Sequence, residues 1–108
     1  MNKVLLIGNV GRDPEVRYVD KTPVATFSLA TSDTPQPGST DVPAVTEWHR
    51  IFMWGPAAEF AEKYIRKGTR LFVEGRLRTR TWEDRNTIKR SVTEILVDQF
   101  EILAPPKS

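Results

Sequence analysis

The segment TEWHRIFMWG, residues 46–55, limits the fold more than any other part of the chain. It reads as a β-strand ending at a Gly-Pro break, and alternate residues of a strand share a face. Trp48, Arg50, Phe52 and Trp54 therefore lie on one side, and Glu47, His49, Ile51 and Met53 on the other. Residues 69–79 repeat this division. Leu71, Val73 and Leu77 share one face, while Arg70, Phe72, Glu74, Arg76 and Arg78 share the other, a parity that continues through Arg80 to Trp82. A small barrel fills its interior with compact aliphatic side chains. The expected interior is therefore Ile51, Met53, Leu71, Val73 and Leu77. Phe52 and Phe72 lack a polar handle and read as core or subunit-contact residues. The remaining outward residues interleave arginine with tryptophan, which a core does not explain.

The rest of the chain supplies the element order. NKVLLIG (2–8) is apolar and β-branched and reads as a strand ending at Gly8; GNVGRDPE follows as a turn or bulge, and VRYV resumes extended structure. DKTP is a turn, and residues 23–32 form a second strand. DTPQPGSTDVP (33–43), with its prolines and turn formers, reads as a long mobile loop before the third strand at 45–54. Pro56 opens a helix whose Ala57, Phe60, Ala61, Tyr64 and Ile65 share a face and which Gly68 stops. A fourth strand at 69–79, a hairpin tip over RTWEDRNTIKR (80–90) and a fifth strand at 90–103 complete the order. Three strands, one helix and two strands predict an all-β fold with one short helix: an OB-fold, the five-stranded Greek-key barrel. Residues 1–104 are expected to form the domain, and 105–108 a short C-terminal remnant.

Charge and composition narrow the function. The net charge of +2 conceals a segment, Lys63 to Arg90, with ten basic residues against three acidic ones. Such clustering is the electrostatic footprint of a polyanion. Single-stranded nucleic acid offers phosphates to basic groups and unstacked bases to aromatic rings, whereas a duplex hides its base faces. Trp48, Trp54 and Trp82 among arginines fit the single strand. Catalysis finds no support. His49 is the single histidine and cysteine is absent, so neither a two-histidine nor a thiolate metal site can form. Glu83-Asp84 is the one adjacent acidic pair and falls at the hairpin tip, and no Gly-rich phosphate loop of Walker or dinucleotide type occurs. We expect no enzyme activity, no cofactor and no metal, with His49 in a structural or interface role. No run is long and apolar enough for a membrane helix, and VLLIG is too short for a signal-peptide core, so a cytoplasmic, nucleoid-associated location is expected.

The blocks NKVLLIGNVGRDPEVRY, TEWHRIFMWG, EKYIRKGTRLFVEGRLRTRTW and TEILVDQFEIL, in that order, resemble the bacterial single-stranded DNA-binding protein family. The resemblance implies a homotetramer of OB-fold protomers that wraps single-stranded DNA without sequence preference in replication, recombination and repair. Position by position, Trp48 and Trp82 match stacking tryptophans, and Trp54 stands where relatives usually have phenylalanine. Arg50, Arg78 and Arg80 match basic positions along the DNA path, as do Lys3, Arg17 and Lys67. His49 matches a subunit contact. Three departures stand out. Pro35 occupies the place of another stacking tryptophan, Pro56 replaces a frequent lysine, and the acidic recruitment tail is missing after Ser108, which puts recruitment of replication and repair proteins in doubt. A tailless OB-fold accessory protein of replication restart, of primosomal type, is the alternative within DNA binding. A protein-interaction scaffold is the alternative outside it.

Overall fold

The computed structural model describes residues 1–33 and 45–106. The elements are β1 (Val4–Val10), β2 (Glu15–Val19), β3 (Thr22–Asp33), β4 (Val45–Trp54), α1 (Pro56–Tyr64), β5 (Arg70–Glu83) and β6 (Lys89–Ala104). The expected loop at 33–43, Pro35 included, lies outside the described residues except for Asp33, which ends β3.

Strand pairing runs β1-β5-β6-β4-β3-β2, and β1 also pairs with β3. β2 lies along Thr22–Thr26 of β3, and β1 meets the same strand further on at Leu29 and Ala30. β1 and β2 thus act as one bent strand, and the ring β1-β5-β6-β4-β3 closes on itself. This is the expected five-stranded OB-fold barrel. All pairings are antiparallel except β4 with β6, which are parallel and joined at Ile51–Ile95 and Phe52–Leu96. Closure at β1–β3 requires a residue without a side chain. A Cβ on Gly8 would collide with the carbonyl of Ala30. Gly8 therefore does not end the first strand, as its sequence context suggests, but lets that strand cross the neighbouring backbone.

The interior holds the expected aliphatic edge. Ile51, Met53, Leu71 and Val73 are fully buried, together with Leu29 and Ala25 from β3. Each large side chain so buried contributes about 1.5–3 kcal/mol. α1 covers one end of the barrel with Ala58 and Ala61, and Ile65 just beyond it. The expected helical stripe is therefore rotated. Phe60 and Tyr64 stay exposed, with ring centroids 4.7 Å apart, and Phe60 lies 5.3 Å from Phe100 of β6. The helix also stops earlier than Gly68 suggests. Ile65 turns extended, and Arg66 Nη1 donates to the carbonyls of Glu62 and Ile65, satisfying the helix end.

Leu77 departs from expectation, being 51% exposed. β1 pairs with β5 only as far as Gly75, and Asn2 then caps the strand edge, its side chain bonding the N–H and C=O of Leu77. Past that point β5 has no β1 beside it, so Leu77 lies at the rim, while its partner Ile95 on β6 stays joined to β4 and is buried; beyond this pair β5 and β6 run on as a two-stranded ribbon. The ribbon is also longer than expected. Pairing continues to Glu83–Lys89, leaving residues 84–88 as the turn. Asp84 organises that turn, accepting the N–H groups of Asn86 and Ile88 and the Nε–H of Arg90. These donors hold its carboxyl below the usual carboxylate range. The Glu83-Asp84 pair is thus turn chemistry.

Candidate nucleic-acid interface

Parity on three strands builds one outer face. β4 contributes Trp48, Arg50, Phe52 and Trp54. Neighbours in register share a face, so Arg78 lies opposite Glu94, Arg80 opposite Val92 and Trp82 opposite Arg90. The parallel contact sets Phe52 beside Leu96. Trp48, Trp54 and Trp82 remain 60%, 58% and 47% exposed, which is unusual for the largest apolar side chain unless it meets a ligand or partner.

Each tryptophan has its own seat. The Trp48 ring rests over Gly11 in the β1–β2 loop, where a Cβ would collide with ring atom Cζ3. Beside it runs a groove lined by Arg12, Asp13, Glu15, Ser28 and Arg50. Trp54 lies about 20 Å further along β4, six residues at roughly 3.3 Å each. There the register sets Arg17, Val24 and Trp54 in a row across β2, β3 and β4. Val24, though on the outer side, is only 8% exposed between these two neighbours. Trp82 stands on the hairpin ribbon and borders a shallow groove with Arg50, Arg80 and Val92.

At the centre of the face is Glu94, whose side chain is completely buried. Its Oε1 accepts from Arg78 Nη2 and Arg80 Nε, both at 2.7 Å. Its Oε2 accepts from Arg50 Nε at 3.3 Å and Arg80 Nη2 at 3.4 Å. Burial raises the Glu94 pKa, but the hydrogen bonds and charges of Arg80 and Arg78 outweigh it and leave the pKa lowered. The carboxylate is therefore ionised at neutral pH. The Arg78 guanidinium also lies 4.5 Å over the Phe52 ring. Phe52 is neither core nor free platform; it is the half-buried floor under an arginine. Phe72 is likewise half-buried on the outer side, beside Ile7.

The structure thus unites Trp48, Arg50, Trp54, Arg78, Arg80 and Trp82 on one face, with Arg17 in the same row as Trp54 but across Val24. Lys67 sits behind the β1–β2 loop, its backbone N–H donated to Asp13 at 2.8 Å, close to the loop that seats Trp48. Lys3 lies at the far end of the β5 row, paired with Glu74 at 3.4 Å. His49 is on the inward parity near the barrel rim, with Nε2 2.8 Å from Thr31 Oγ1. Sequence reading missed Glu94 and Gly11. Glu94 was accessible in principle: centring the hairpin turn on Asn86 places Arg78 opposite it. Gly11 gave no such signal, because its contact depends on how the first strand bends.

Exposed rings and a tethered arginine cluster on the outer strands of an OB-fold define the class of small barrels that bind extended polymers on one face. Comparison with known proteins gives the lineage. The single-strand binding protein family matches residues 1–103, and the chain belongs to that family. It is 47% identical over 108 residues to a protein from Bacteroides thetaiotaomicron named single-stranded DNA-binding protein, covering 97% of this chain and 67% of that one. A solved structure described as a Plasmodium falciparum SSB complex with ssDNA superposes with a TM-score of 0.81 at 34% identity, covering 96% of this chain and 94% of that one.

Proposed function

We propose that the chain binds single-stranded DNA without sequence preference and serves its protection in replication, recombination and repair. The observation that carries this reading is the single outer face on which three exposed tryptophans flank three arginines. Rings spaced along the face stack on bases whatever their identity, and the arginines and outlying Arg17 and Lys67 attract the backbone. The reading needs no reaction step, and it places the chain wherever the cell exposes single strands, in the cytoplasm at the nucleoid.

Self-association, with a homotetramer as the expected assembly, belongs to the same proposal. Leu5 and Ile7 of β1 are 60% and 51% exposed, and Ile7 lies beside half-buried Phe72 on β5. An apolar strip of this kind, on a strand whose second edge is paired among the described residues only at Asn9 and Val10, fits a subunit contact. His49 is proposed to lie at a second contact.

Titration of the protein with oligo-dT, followed by tryptophan emission, tests the function. Quenching with similar affinity for mixed sequences, and much weaker binding to duplex, is the expected result. Unchanged emission refutes the stacking face. Molar mass in solution, with and without DNA, tests the tetramer.

A further inference from the structure

A buried negative charge at the centre of a face meant for a polyanion opposes the attraction, so its presence there requires a role. Glu94 engages the hydrogen-bonding edges of three guanidiniums at once. Arg80 is held by both Nε and Nη2, Arg78 by Nη2, and Arg50 by Nε. The Nε/Nη2 edge of Arg80 is one that a guanidinium uses to grip phosphate bidentately. Each guanidinium keeps other N–H donors, but the bonds to one carboxylate fix the plane of each group, with Arg78 lying over Phe52. The three arginine side chains keep 36% to 46% of their surface exposed, while the carboxylate keeps none. The cluster therefore commits four guanidinium contacts, two of them on Arg80, to the carboxylate and not to the ligand.

We infer that Glu94 is a positioning residue that fixes the planes of Arg50, Arg78 and Arg80, occupies part of their donor capacity, most fully on Arg80, and so limits the ionic share of DNA affinity. This rests on the single-strand binding reading above. With Glu94 in place the four groups carry a net charge of two, and three arginines without it carry three. Neutralising the carboxylate frees guanidinium edges for the backbone, and each added phosphate contact steepens the salt dependence of a single-strand complex by about 0.7 in log–log slope. Unheld arginines also lose their fixed planes, so the stacking contribution that survives at high salt shrinks.

The test is the affinity of the full chain for oligo-dT from about 50 to 200 mM salt, for the wild type, Glu94→Gln and Glu94→Asp. Glu94→Gln is expected to steepen the slope by about 0.7 and to bind more tightly at the lowest salt, while Glu94→Asp, which keeps the charge, retains the wild-type slope. A merely structural role lowers affinity without changing the slope, so an unchanged or shallower slope in folded Glu94→Gln overturns the inference. Should Glu94→Gln not fold, Arg80→Ala decides the matter. A slope decrease well below 0.7 supports a tethered arginine, and a full decrease of about 0.7 overturns it. A wild-type chain that ignores oligo-dT overturns the DNA-binding reading and this inference together, whereas wild-type binding with the wrong slopes overturns this inference alone.

Discussion

Gly11→Ala isolates the seat of Trp48 from the ring itself. The new methyl carbon would collide with Cζ3 and lie 3.0 Å from Cη2 of Trp48. Carbon atoms rest at about 3.5–4.0 Å, so the ring must move by roughly an ångström. The fold can absorb this. Trp48 is 60% exposed and free to swing outward, so the penalty stays below the ~1–3 kcal/mol of overpacking a closed core. Thermal stability should change by less than about 1 kcal/mol. Binding should suffer more. A stacked base is worth about 1–3 kcal/mol, and a misplaced ring forfeits part of it, so a loss of about 0.5–1.5 kcal/mol, or roughly 2- to 13-fold in Kd, is expected. Fluorescence titration with oligo-dT measures it, and a double-mutant cycle assigns the cause. In a Trp48→Ala background, which itself loses about 1–3 kcal/mol, Gly11→Ala should add nothing. If the glycine substitution costs as much without the ring as with it, the loop acts on the ligand directly and the seat argument fails.

Further outcomes follow from other parts of the molecule. Trp82→Ala should weaken binding by about 1–3 kcal/mol equally for oligo-dT and mixed sequences, and a loss confined to one sequence would contradict stacking. Gly8→Ala places a methyl against the Ala30 carbonyl, a backbone atom that cannot swing away. It should destabilise the barrel by at least about 1–3 kcal/mol, lowering the melting temperature by roughly 4–8 °C per kcal/mol, and an unchanged melt would show that β1 can cross β3 elsewhere. Because the Glu94 pKa lies below its ordinary 4.5 when folded, the stability it contributes is complete above that pH and is lost as pH falls through the lower folded value. Acid unfolding of Glu94→Gln should therefore show a shallower decline below about pH 4.5, and identical acid profiles would remove Glu94 from the balance.

Strand parity made much of this molecule legible in advance. On β4 it separated Ile51 and Met53 from Trp48, Arg50 and Trp54 correctly, because that strand packs against an opposite wall along its inner half. On β5 the same reading held through Val73 and failed at Leu77. Parity reports which side a residue faces, not whether anything lies there, and beyond Gly75 β1 no longer flanks β5. Phe60 and Tyr64 were misjudged for a related reason. A 3.6-residue stripe permits several rotations, and the barrel end selected the smaller Ala58 and Ala61. Glu94 shows the opposite limit. A lone acid on a strand looks solvated until three arginines from two other strands are folded over it, and those contacts span up to 44 residues of sequence. The separate locations of Lys3 and Lys67, one paired with Glu74 and the other behind the β1–β2 loop, were equally invisible to spacing.

The short parallel contact between β4 and β6 carries a mechanical consequence. The β3–β4 and β5–β6 ribbons are each long, yet among the described residues their backbones pair at only two positions, joined on this face by the Arg50–Glu94 contact and by Arg78 over Phe52. Trp48 and Trp54 ride on one ribbon, Arg78, Arg80 and Trp82 on the other. A strand of DNA touching both sets bridges the joint from outside, so occupancy and ribbon alignment favour one another. Amide protons flanking Ile51, Phe52, Ile95 and Leu96 should then exchange more slowly in the complex than in the free protein. The ligand, in this arrangement, is a splint across one of the barrel's two shortest joins.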